Sequence, residues 1–373
     1  MSRFFVLGGL LLASLGCGDE GDWALEPGSV EHDSQSIING SVCDASMATT
    51  AVAIMADISI NFGQWAGVEQ VRAVACTGTV IGPDTVLTAA HCVDEDVLKM
   101  GIGMGDIESV EYYISFAEDL SAYSQNPRTP LPADAVRVKK WVAHPDFSMR
   151  RMMSISGPGD FYDIGLLFLE RELSAVEPAI VITNSEVSQL RVGSPVFIAG
   201  WGMQTAEGGG WGRPPPQGSA GIKRCAQSTI NEIGGAEMQI GSDARSSRKC
   251  HGDSGGPTYL RVETESSRKE RVVGITSHAY DQSDCAKGGV DTRVDVWRTW
   301  INNEMSEHCD DGTRVWCDVP GVIPPSYYDI PTSAELEEFA GEGCDCSQTS
   351  PVSVWVLLMG IVWMGWRRRR SCA

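Results

Sequence analysis

Positive charge is scarce in this sequence: 29 lysines and arginines stand against 49 aspartates and glutamates, a formal net charge of −20 over 373 residues. A nucleic-acid partner is excluded on that ground, because such a surface repels phosphates. Histidine is sparse too, six residues scattered without ligand spacing, so neither a metal nor a cofactor is expected. No internal repeat is visible. Long apolar runs are confined to the ends, and the one at 351–366 offers only about 24 Å of helix against a hydrocarbon core of about 30 Å.

What the sequence has is cysteine and a strand pattern. Twelve cysteines in a chain of this length point to an oxidising compartment. The length leaves room for one two-lobed domain plus extra segments. Short apolar, β-branched runs alternate with Gly, Pro, Asn and Asp, as at 51–55, 136–142, 180–183, 196–199 and 272–276, which predicts an all-β domain. A short carboxy-terminal helix is predicted over 297–305, with Asp295 before it as a candidate cap. The stretches 149–159 and 208–221 read as loop insertions.

Chemistry concentrates in Cys250-His251-Gly252-Asp253-Ser254-Gly255-Gly256-Pro257. A serine hydroxyl is a poor nucleophile without a base, an orienter for that base and donors for the developing oxyanion. Glycines around Ser254 let the backbone approach a carbonyl closely. His91, in Thr88-Ala89-Ala90-His91-Cys92, closes a strand-like run and supplies a candidate base. Asp163 opens Asp163-Ile164-Gly165-Leu166-Leu167-Phe168-Leu169 and supplies a candidate orienter. Asp160 is a rival, but the strand beginning at Ile164 favours Asp163. His144, followed by Pro145, reads as a loop residue. The order His, Asp, Ser differs from that of subtilisins and α/β-hydrolases. With these motifs in this order, the chain resembles the trypsin/chymotrypsin family of serine endopeptidases over about 37–301.

The resemblance implies two six-stranded antiparallel β-barrels with a short C-terminal helix. It implies catalysis by His91, Asp163 and Ser254, with the N–H groups of Gly252 and Ser254 as oxyanion hole. It implies disulfides Cys43–Cys225, Cys76–Cys92 and Cys250–Cys285; Cys309 and Cys317 lie close enough to close a small loop of their own. Ile37-Ile38-Asn39-Gly40 resembles a mature amino terminus, whose freed amine would pair with Asp253 after cleavage by an activating protease. Ser36 precedes that bond, so a trypsin-like activator is not expected. Ser277 matches the family serine that accepts substrate backbone and supports the aspartate. His278 stands where tryptophan is usual, and Ala279 replaces a glycine on the pocket wall. Arg248, followed by Lys249, falls at the floor of the primary pocket, which would favour an acidic residue before the scissile bond. Alternatively Asp291, after Gly289-Val290 on the opposite wall, pairs with Arg248 and leaves an uncharged preference.

The ends suggest export. Arg3 and the apolar run 4–15 read as a signal peptide over 1–16, with ordinary cleavage before Cys17 preferred to lipidation of that cysteine. An acidic pro-segment or linker follows over 17–36, then the protease domain over 37–305 and an acidic stalk over 306–350. Cys344 and Cys346, the apolar run and Arg367 to Arg370 together resemble a Myxo-CTERM sorting signal over 351–373, which implies membrane targeting and an outward-facing domain. The expected protein is a secreted or surface-anchored endopeptidase acting on peptides or proteins. The competing expectation is a catalytically silent protease fold serving as a surface binding protein.

Overall fold

The computed structural model describes residues 37–44, 46–64, 66–103, 105–123, 129–202, 220–243, 245–281 and 284–329. The expected signal peptide, pro-segment and terminal sorting segment, most of the 208–221 insertion and the stalk from 330 onward lie outside the described residues. No helix among the described residues is long and apolar enough to cross a membrane.

After a two-residue strand, β1 (Ser41–Val42), six strands close a first antiparallel barrel. They are β2 (Ala51–Asn61), β3 (Val68–Gly82), β4 (Thr85–Thr88), β5 (Asp106–Ser115), β6 (Val136–Ala143) and β7 (Gly165–Leu169), in the ring order β2-β3-β4-β7-β6-β5. Helix α1 (Glu95–Ile102) lies between β4 and β5, and the single turn α2 (Met149–Met152) between β6 and β7. The Asp94 side chain caps α1 by accepting the Val97 N–H at 2.9 Å, and Gly103 ends it at φ 71°. The second barrel comprises β8 (Pro195–Gly200), β9 (Arg224–Ile233), β10 (Glu237–Ile240), β11 (Pro257–Arg261), β12 (Glu270–Asp281) and β13 (Asp284–Arg293). Pairing of β8 with β9 closes this ring, and β1 adds to its outside through Ser41 opposite Cys225.

Strand periodicity divides the core. Val52, Ile54, Ala56, Ile58 and Ile60 of β2, with Leu167 and Leu169 of β7, fill the first barrel. The intervening Ala51, Ala53, Met55, Leu166 and Phe168 face the other way, into a cluster with Ala199, Trp201, Tyr259 and Ile275. A period of two lets one strand serve both a barrel interior and the seam between barrels. This explains why β4 and β7 are buried at every position and read as continuous apolar runs. Ile37 is buried among Ile182, Ile198, Ile230 and Val273 inside the second barrel.

The last helix differs from expectation. Helix α3 spans Val294–Asp310, and Asp295 lies in its first turn, paired with Arg293 at 2.7 Å, instead of capping it. The chain after it, expected to begin a stalk, is docked as a belt on the first barrel. Arg314 is buried and its Nε and Nη2 donate to Asp84 Oδ1 at 3.0 and 2.9 Å. The Val315 and Trp316 N–H groups donate to Asp84 Oδ2, each at 2.8 Å. Val322 and Ile323 are buried as well. The folded unit therefore extends at least to residue 329, past the expected boundary at 305.

Candidate active site

His91 is delivered by a tight turn, Ala90–Cys92, directly after β4. The Cys76–Cys92 disulfide fixes that turn to β3. Asp163 arrives from the opposite side, one residue before buried Ile164 and two before β7. Its carboxylate has no exposure to water and gathers three donors. The His91 ring sits with Nδ1 2.7 Å from Oδ2, the His91 backbone N–H donates to Oδ1 at 2.9 Å, and the Ser277 hydroxyl donates to Oδ2 at 2.6 Å. Burial alone would raise this carboxyl, but the His91 and Ser277 donors outweigh it and hold it below the usual carboxylate range. Thr292 Oγ1 anchors the Asp163 carbonyl at 2.9 Å.

The residue before Asp163 carries strain that sequence reading missed. Tyr162 has φ 58°, a left-handed conformation that disfavours a bulky residue. Its ring is held 5.0 Å from His144 and 4.9 Å from Trp297. His144, expected as a loop residue, thus belongs to an aromatic clamp behind the Asp163 backbone, together with Trp300 at 5.0 Å.

Ser254 lies on a loop pinned at both ends. The Cys250–Cys285 disulfide ties its start to β13. The Gly255 N–H donates to Thr276 at 2.7 Å, next to Ser277, and the Ser254 carbonyl accepts the Thr77 N–H at 2.8 Å. Gly255 has φ 75°, and a Cβ there would collide with Thr88 Oγ1 and the Thr77 carbonyl. No larger residue fits. The loop is thereby seated against the strand ends that carry His91 and Ser277. Among the described residues the Ser254 hydroxyl makes no hydrogen bond, and Gly252 adopts φ 89°.

Asp253 points the other way, into the second barrel. It accepts the N–H groups of Gly202 at 2.9 Å, Cys250 at 3.0 Å and Ile37. Burial pushes its carboxyl up to about 6 despite those donors and the Lys249 charge.

The family model described as Trypsin matches residues 57–301. The chain belongs to the trypsin family. Among its relatives, "Chymotrypsin-like elastase family member 1" of Canis lupus familiaris is 29% identical over 62% of this chain and 82% of that protein. "Trypsin" of Phaedon cochleariae is 27% identical over 61% of this chain and 78% of its own length. A solved structure of neuropsin, a serine protease of mouse brain, aligns with 72% of this chain and 99% of that one at 23% identity and a TM-score of 0.45. A trypsin-family domain makes this chain a serine-type endopeptidase. All four expected disulfides are formed, Cys43–Cys225 and Cys309–Cys317 being the other two.

The two cations expected at the floor of a primary pocket are both engaged by other partners. Arg248, expected to offer its charge to the pocket, donates Nη1 to the Asp243 and Ser246 carbonyls at 3.3 and 3.2 Å and Nε to the Cys285 carbonyl. Lys249 is fully enclosed. All three of its donors are used, on Asp291 Oδ2 at 2.9 Å, Thr258 Oγ1 at 2.8 Å and the Gly256 carbonyl at 3.1 Å. Burial pulls this amine below its usual range although Asp291 opposes the shift. Asp291 therefore pairs with Lys249, not with Arg248. Gly289 faces the Lys249 stem, where a Cβ would stand 3.4 Å from Lys249 Cβ.

His278 Nε2 lies 3.3 Å from Glu237 Oε2, and its Nδ1 2.8 Å from the Ala279 carbonyl. Burial would lower this imidazole, but Glu237 outweighs it and the net shift is upward. His251, the residue before Gly252, is half-buried; burial and the nearby His91 hold it below the usual range. Its position in the octapeptide was the available signal for a second imidazole here. Cys76, His91 and Cys92, and likewise Cys250, His251 and Cys285, stand at metal-like spacing, but the sulfurs are committed to disulfides.

Proposed function

We propose that the chain is an exported endopeptidase in which Ser254 is the nucleophile, His91 the general base and Asp163 its orienter. The observation that carries this reading is the buried Asp163 carboxylate facing His91 Nδ1 at 2.7 Å. In this reading the Nδ1 proton faces Asp163 and the Nε2 lone pair is left for the Ser254 proton. Ser254 Oγ then attacks the scissile carbonyl, His91 returns the proton to the departing amine, and water repeats the sequence on the acyl-enzyme. The Gly252 and Ser254 N–H groups receive the oxyanion, a contribution of about 10²–10³ in turnover per donor in related chemistry.

Cleavage after Ser36 would convert the Ile37 amide into an ammonium beside Asp253. A buried carboxyl pushed up to about 6 gains most from such a partner. With the Arg248 and Lys249 charges committed elsewhere, the expected acidic preference loses its support, and Ala279 adds a methyl where the resemblance expects glycine. The proposed preference is a small uncharged residue before the scissile bond. Export rests on the 1–16 segment and the four disulfides, and surface retention on 351–373. Deleting 351–373 should move the protein from the membrane fraction to the medium; an unchanged distribution counts against retention by that segment.

The decisive experiment incubates mature protein starting at Ile37 with a mixed peptide library, beside a Ser254→Ala control. Cleavage after small uncharged residues, absent from the control, is expected. Identical libraries would favour the silent binding protein, and cleavage mainly after Glu or Lys would refute the proposed pocket.

A further inference from the structure

Pairing of β12 with β13 runs through His278 opposite Val290 and Ala279 opposite Gly289, and resumes only at Asp281 opposite Asp284. Tyr280 has no β13 partner, because the register shift there leaves the extra residues, Cys285 to Gly288, on β13. Its carbonyl accepts the N–H of Gly157 at 2.8 Å. Gly157 has φ 79°, and a Cβ there would stand 3.3 Å from Tyr280 Cζ, so the loop backbone lies against the tyrosine ring. Two residues on, the Gly159 N–H donates to Glu237 Oε2 at 2.7 Å, the same oxygen that faces His278. At the loop's start, Met149 and Met152 of α2 are buried with Val97 and Phe161, and Met152 Sδ lies 3.5 Å from Ser277 Oγ. The 149–159 segment is thus fastened to β12 and its neighbours at Ser277, Tyr280 and Glu237.

We propose that this loop walls off the upstream arm of the substrate cleft at Tyr280, so that only about three residues before the scissile bond are ordered against the enzyme. The inference rests on the proposed function and on the expected role of Ser277 in accepting substrate backbone, taken here as antiparallel pairing along β12 from Ser277 to Ala279. A strand advances about 3.4 Å per residue, so a residue opposite Ser277 is followed upstream by a third opposite Ala279. A fourth would need the lane that Gly157 occupies. Upstream chain beyond that point turns into solvent without backbone pairing. The substrates this fits are peptides cut close to their amino termini and short exposed protein loops, in place of long strands laid along the whole cleft.

The test is a length series of peptide amides with a fluorogenic leaving group, an alanine before the scissile bond, and two to six residues in all. Parallel sets carry Leu, Glu or Lys in place of that alanine. In the wild type, kcat/KM should rise up to the third residue and then stay level within about twofold. Replacing 153–158 by two glycines, which spares α2 and Gly159, should make the fourth residue worth about fivefold, the value of one net backbone hydrogen bond. Should that variant not fold, Gly157→Val, which strains φ and crowds Tyr280, should produce the same gain. A fivefold gain at the fourth residue in the wild type overturns the wall, as does a plateau that survives in a folded loop variant. A wild type that cleaves no member of any set overturns the protease reading and this inference with it, a different result from a continued rise with length.

Discussion

A lysine amine without access to water stays charged only if its partners are built around it, and Lys249 has three. Replacing it by methionine leaves the Asp291 carboxylate enclosed with Thr258 alone, so Lys249→Met should lose about 3–5 kcal/mol in urea unfolding. Lys249→Met combined with Asp291→Asn should recover much of that loss, and a double variant as unstable as the single one would sink the pair interpretation. At this scale the sequence is legible where chemistry and neighbours are covalently adjacent. His91 sits beside its bridged cysteine, Asp163 before its strand and Ser254 among its glycines. Pocket polarity was not legible, because it depends on where two flexible cations point. Arg248 finds a carbonyl 37 positions away, and Lys249 an acid 42 positions away.

At the scale of elements, alternation announced the strands well, since period two is written directly in the residues facing barrel and seam. The break in pairing at Tyr280 was hidden in β12 itself, because the extra residues, Cys285 to Gly288, belong to its partner β13. The extent of α3 was hidden as well. Its last turns carry Ser306, Glu307 and Asp310, polar enough to read as the start of a linker. What holds the following belt is Arg314 reaching Asp84, 230 positions earlier, a contact no local pattern reports. Asp84→Ala should strand the Arg314 guanidinium and remove four hydrogen bonds. It should expose the belt to limited proteolysis between 311 and 329 while peptide hydrolysis persists, since the belt makes none of the contacts of His91, Asp163 or Ser254. Intact resistance to protease would show that the belt is held by something else.

For the molecule as a whole, the proposed cleavage before Ile37 would link folding to activation through Asp253. Its folded-state pKa, about 6, stands above the ordinary 3.8, so its contribution to stability is full below about pH 4 and is lost as pH rises through 6. The uncleaved chain bears that loss. Once Ile37 carries a free ammonium, the ionised carboxylate is the favoured form and the loss disappears. The difference in Tm between cleaved and uncleaved protein should therefore widen as pH rises from about 4 to about 7, and a constant difference would contradict the coupling. The belt has a mechanical corollary at this same scale. A pull on the chain beyond Asp329 meets first the Ser266 hydroxyl that holds that aspartate, then the Asp84 clamp on the first barrel, before any load reaches α3. Under the proposed retention by 351–373, such a pull would load the barrels in shear and spare the last helix from being unzipped turn by turn.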